Sequence, residues 1–123
     1  MLNDVKCRCT CPGATVWVTG RSVADRRAAA HATAELLAAE GRRVQVLDRL
    51  AGTRTDVERT GVTAEVLARN GVVAIVPCTA EGAVTVRARH EASGTRYIEV
   101  CVAGSEDPRE SAVMAHELLA GRR

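Results

Sequence analysis

Residues 20 to 28 read GRSVADRRA and follow the apolar run Ala14-Thr15-Val16-Trp17-Val18-Thr19. A strand that ends in glycine just before an alanine-rich helix is where an α/β nucleotide enzyme keeps its phosphate loop. The Walker A form of that loop is Gly, four residues, then Gly-Lys-Ser/Thr. Counted from Gly20, the last three places hold Asp25, Arg26 and Arg27. Arg26 could still meet a phosphate, but Arg27 cannot ligate Mg²⁺ as a hydroxyl does. Asp25 sets a negative charge where a polyphosphate would lie. At ~4 Å two like charges repel by about 1 kcal/mol in water and by more when partly buried.

Other residues have chemistry open to them. Arg21, Arg26 and Arg27 gather at a helix start, beside its positive dipole end, which suits one small anion such as sulfate, phosphate or a carboxylate. Equally, they form a solvated helix end with Arg26 paired to Asp25. Asp48 closes a strand and is either a functional acid or a partner for Arg26 or Arg49. Cys78, with Thr79, follows a third strand on the side where ligands sit, a place for a nucleophile, although no histidine adjoins it in sequence. Cys101 reads as a small buried hydrophobe, and His31, His90 and His116 as packing or surface residues on helices. In CRCTC, Cys7, Cys9 and Cys11 alternate, so an extended segment would point all three one way, as soft ligands for Zn²⁺ or Cu⁺. The spacing is not that of a structural zinc knuckle, and a flexible tail with free thiols is the other reading.

These residues are positioned by a regular alternation. Residues 14–19 form a strand, and 22–40 an Ala/Leu-rich helix stopped by Gly41. Val44, Val46 and Leu47 mark a second strand. A helix runs from about Thr55 to Asn70, with Val57, Val62, Val66 and Leu67 as its apolar stripe. Residues 72–76 make a continuous apolar strand of the kind buried on both faces. A weaker helix at 81–91, a strand at 97–103 and a helix from Pro108 to about Ala120 complete the chain. Strands alternating with helices imply a three-layer α/β domain: a mainly parallel sheet of about four strands with helices on both faces. Ligands in such sheets sit at the carboxyl ends of the strands. Residues 1–12 read as a cysteine-containing tail and 13–123 as the domain.

Bulk properties narrow the function classes. The chain has 123 residues, 46% hydrophobic and 26% charged, as in an ordinary globular protein. A net charge of +2, with arginines interleaved among acids, does not ask for nucleic acid. One Trp, one Tyr and no Phe leave no aromatic surface for stacking bases. No apolar run approaches the ~20 residues that span a bilayer, and the N-terminus lacks a signal-peptide layout. The expectation is a cytoplasmic protein, without membrane or nucleic-acid partners, whose five cysteines are reduced.

Several segments resemble adenylylsulfate (APS) kinase, a P-loop kinase of sulfate assimilation. GATVWVTG at 13–20 is similar to that family's first strand, and AAEGRRVQVLD at 38–48 to the end of its first helix and its second strand. AEVLARNGVVAIV at 64–76 is the nearest match, followed by RYIEVCV at 96–102 and DPRESAVMAHELL at 107–119. The resemblance implies a P-loop kinase-like fold and a homodimer. Against the family loop Gly-Leu-Ser-Gly-Ala-Gly-Lys-Ser-Thr, only Gly20, Ser22 and Ala24 match. Of the family's Asp-Gly-Asp after the second strand, Asp48 remains and the second acid falls on Leu50. Of its Asn-Ile-Arg-Arg, which contacts the sulfonucleotide, only Arg59 survives, while Glu58 reverses a charge. Its Ser-Pro-Tyr-Arg aligns with Ala80-Glu81-Gly82-Ala83, and its lid, with one strand, has no counterpart between Val102 and Asp107.

Phosphoryl transfer depends on positioning and charge neutralisation, so a chain without these parts has little left to work with. The expectation is a pseudoenzyme acting through a protein partner or through itself, linked to sulfur metabolism by resemblance, and needing no cofactor. The alternative is a nucleotide- or adenylylsulfate-binding phosphotransferase using ATP, Mg²⁺, Arg26 and Asp48. Metal or thiol chemistry at Cys7, Cys9 and Cys11 is a third reading.

Overall fold

The structure, a computed structural model, describes residues 12–48, 54–102 and 107–121. Eight elements alternate along it: β1 (Ala14–Gly20), α1 (Val23–Ala39), β2 (Val44–Val46), α2 (Arg54–Arg69), β3 (Val73–Pro77), α3 (Ala83–Ser93), β4 (Tyr97–Val102) and α4 (Pro108–Ala120). The four strands form one parallel sheet in the order β2-β3-β1-β4. Chain order and sheet order part company at β1, which lies between β3 and β4.

The two-residue alternation of the strands divides the core into two halves. Ala14, Val16 and Val18 of β1, with Val73, Ile75, Val100 and Val102, meet Ala29, Ala30 and Leu37 of α1 and Ala115 and Leu119 of α4. Trp17, Ala74 and Val76 point the other way and meet Val57 and Ala64 of α2 and Ala83 and Val86 of α3. Every residue of β3 is buried, as its unbroken apolar sequence requires of a central parallel strand.

Helix ends follow local chemistry. The Ser22 hydroxyl caps α1 by accepting from the Asp25 amide at 3.1 Å. Asp107 caps α4 by accepting from the Arg109 amide at 2.9 Å, with Pro108 in the first turn. Gly41, at φ +86°, follows the end of α1.

The apolar stripe expected on α2 is corrected. Val57 is buried, but Val62 and Val66 are 38% and 51% exposed, and the inward face is Thr60, Gly61, Ala64, Glu65 and Ala68. The reason is close packing against α3. A Cβ on Gly61 would lie 2.6 Å from a Val86 methyl, so the contact selects small residues over valine. The α3 helix itself sits two residues later than expected, between Gly82 at φ +89° and Gly94 at φ +72°.

Candidate functional site

The carboxyl ends of β1, β2 and β3 bring Gly20, Asp48 and Cys78 to one side of the sheet. Gly20 is needed for two reasons. Its φ is +147°, and a Cβ there would lie 2.8 Å from the Val102 carbonyl of β4. Only Arg21 and Ser22 separate β1 from α1. The residues that would form the wall of a phosphate loop, Val23, Ala24 and Asp25, are instead the first turn of the helix.

Two backbone donors at this end are taken by Ser22. The Asp25 amide donates to the Ser22 hydroxyl, and the Arg26 amide to the Ser22 carbonyl at 3.0 Å. Arg26, at the lysine place, is only 8% exposed. Its guanidinium turns back along the chain, and Nη1 donates to the Gly20 carbonyl at 2.6 Å. The expected pairing with Asp25 is thus replaced by a backbone contact, because Asp25 stands in the helix while Arg26 points toward the strand end. Arg26 Nε is buried and has no hydrogen-bond partner among the described residues.

Asp48 pairs with α1 at the surface rather than with Arg26. Its Oδ2 accepts from Arg27 Nε at 2.9 Å, and His31 Nε2 lies 3.4 Å away. Arg27 and His31 lie one turn apart on α1, so the acid ties the end of β2 to that helix. Arg21 is exposed beside the cap, and Arg59 is exposed on α2. Cys78 is 5% exposed and lines the hydrophobic cluster with Val57, Val76 and Val86. Its amide donates to the Val18 carbonyl at 2.9 Å. Cys7, Cys9 and Cys11 lie outside the described residues, and among those described no group of three or more His, Cys, Asp or Glu could hold a metal.

Two features escaped the sequence. The Trp17 indole donates to the Thr79 carbonyl at 3.0 Å, fixing the turn after β3. His90, fully buried on α3, donates from Nδ1 to the Val86 carbonyl at 2.8 Å and accepts at Nε2 from the Thr15 hydroxyl, also at 2.8 Å. Cys101 is corrected from buried to exposed. It lies on β4, the edge strand of the sheet, two residues beyond Glu99, which Arg87 of α3 meets at 3.0 Å.

This arrangement of four parallel strands and four helices matches solved structures closely. The APS kinase CysC of Mycobacterium tuberculosis superposes with a TM-score of 0.77 at 22% identity, covering 89% of this chain and 99% of that one. A second structure of that enzyme, with AMPPNP and APS bound, gives the same TM-score at 18% identity. This is an APS-kinase-like fold. The hexameric APS kinase of Thiobacillus denitrificans gives 0.75 at 24% identity over 94% of this chain, which spans only 30% of that protein. No family model matches the chain, and no curated protein sequence does. Within the fold, the chain passes from β4 to α4 in five residues, 103–107.

Among the described residues, no helix is long and apolar enough to cross a membrane.

Proposed function

We propose that the chain is a non-phosphorylating protein built on an APS-kinase-like fold, which works by binding a protein partner, in the first instance a second copy of itself. The observation that carries this reading is the collapse of the phosphate loop into a two-residue helix cap. A phosphate loop works because a run of backbone N–H groups surrounds the phosphates. Here the Asp25 amide is taken by the Ser22 hydroxyl and the Arg26 amide by the Ser22 carbonyl, and the Arg26 side chain turns back onto the Gly20 carbonyl. Arg27, at the Mg²⁺ place, brings a positive charge bound to Asp48. The solved neighbours are APS kinases, and on that likeness the proposal sets this chain in sulfur metabolism as an accessory protein of the cytoplasm.

A second reading is favoured by one atom. Arg26 Nε, buried without a partner among the described residues near the start of α1, suits a single small anion without Mg²⁺ or nucleotide, with Arg21 next to it in sequence as a second cation. The two readings separate in one assay. Incubation with ATP, Mg²⁺ and adenylylsulfate should leave ATP unconsumed, whereas sulfate or phosphate alone should raise the melting temperature if the anion site is filled. Turnover that disappears on Asp48→Asn would restore the kinase reading instead.

A further inference from the structure

We propose that the outer edge of β4 is a self-association surface, at which a second copy adds its own β4 antiparallel about a two-fold axis and joins two four-stranded sheets into one. This rests on the reading of the chain as a protein that binds itself.

The two edges of the sheet are unequal. β2 closes one side with three residues, whereas β4 closes the other with six, YIEVCV, which carry one charge and no proline. An exposed edge strand is a template for pairing, and monomeric proteins shorten it or arm it with lysine, proline or a bulge. β2 is shortened, whereas β4 has six residues with Glu99 as its one charge and no lysine or proline, and among the described residues no further strand pairs with its outer edge. The Thr15 amide donates to the Arg96 carbonyl at 2.9 Å, and Thr15 stands opposite Tyr97. Parallel pairing alternates, so Ile98, Val100 and Val102 turn their peptide groups toward β1, while Tyr97, Glu99 and Cys101 turn theirs outward. Cys101 is also exposed in its side chain.

A second observation extends the apolar border beyond the strand. His116 of α4 meets the Glu40 carboxylate at 2.8 Å, which fixes the side of α4 that faces α1. At about 100° per residue, Met114 and Leu118 emerge on the opposite side, toward the outer edge of β4. Arg96, at the start of that strand, donates to the Leu118 carbonyl. Leu118 is half-buried and Met114 is 48% exposed. An edge-to-edge pair related by a two-fold axis through the sheet would set both α4 helices on the same face, with these side chains flanking the axis.

The strand also complements itself. With Val100 on the axis it faces the partner's Val100, Ile98 faces the partner's Val102, and Glu99 faces the partner's Cys101. Setting Glu99 on the axis instead would oppose two carboxylates, which is unfavourable.

The test is sedimentation velocity on the full, reduced chain across the micromolar range. The wild type should be a dimer. Cys101→Pro removes one outward N–H from each copy without costing a bond to β1, and should weaken association by about thirtyfold. Cys101→Asp, set against the partner's Glu99, should weaken it too, whereas Cys101→Lys should hold or tighten it. The last two changes lie at an exposed side chain, so they carry the test if the proline variant does not fold. A wild type that is monomeric at every concentration overturns the proposal together with the self-binding reading. A dimer indifferent to Cys101→Pro and Cys101→Asp overturns this surface alone and moves the contact to another face.

Discussion

The Arg26 guanidinium and the Gly20 carbonyl, six residues apart, meet at 2.6 Å across the turn between β1 and α1. That contact places a side chain where a nucleotide enzyme would keep an open cradle. It also separates two explanations for a lost phosphate site, wrong side chains and wrong backbone. Reinstating the motif residues with Asp25→Gly, Arg26→Lys and Arg27→Ser corrects the side chains only. The helix still starts two residues after the strand, so Mg²⁺–ATP should produce no rise in melting temperature. A saturable rise would show that side chains alone closed the site.

The α2–α3 contact is set by Gly61. Replacing it by alanine gains helix propensity but drives a Cβ to within 2.6 Å of a Val86 methyl. Overpacking of this kind costs about 1–3 kcal/mol. Chemical denaturation of Gly61→Ala should therefore show lower stability, and Gly61→Ala with Val86→Ala should regain the overpacking part.

Thr15 and His90 form a buried pair joining β1 to α3. Thr15→Val leaves the His90 Nε2 acceptor without a donor in a site closed to water, at a cost of about 1–3 kcal/mol. Thr15→Val with His90→Leu removes both polar groups and should cost less than the sum of the single changes. Strict additivity in the double-mutant cycle would contradict the coupling.

Two groups make stability depend on pH in opposite directions. Glu65 is held below the ordinary carboxylate value, first by the Ser93 hydroxyl and also by Arg89, whose Nε is 2.7 Å away. A depressed folded value means that its stabilisation is complete above the ordinary carboxylate value. That stabilisation is lost as pH falls through the folded value, and Glu65→Gln should flatten the acid limb of a melting profile. Burial, and then the Glu99 carboxylate, push the Tyr97 hydroxyl well above its usual value. Its contribution is complete below the usual tyrosine value and is lost as pH rises through the folded one. Because the chain has one tyrosine, ultraviolet titration reads it alone, and phenolate should appear only together with unfolding.

The sequence made the layout legible because its signals are local. Gly41, Gly71 and Asn70 stop helices, Asp107-Pro108 starts one, and Val73–Pro77 can only be a strand buried on both faces. The odd places at 25–27 were equally plain. What the sequence concealed depends on distant neighbours. Val62 and Val66 look like core residues until α3 arrives and demands Gly61 and Ala64 in their place. Thr15 and His90 are 75 residues apart. Cys101 reads as core until the sheet is seen to end at β4. Asp48 reads as an acid at a strand end, but its partners Arg27 and His31 are brought to it only by the packing of α1 beside β2.

Calorimetric titration of the reduced, folded protein with Mg²⁺–ATP, and separately with adenylylsulfate, tests the central claim most directly. A collapsed loop predicts no saturable heat with either ligand. Micromolar binding of either one that weakens on Arg26→Ala would contradict it, and would mean that the turn from Gly20 to Ser22 opens to admit a phosphate.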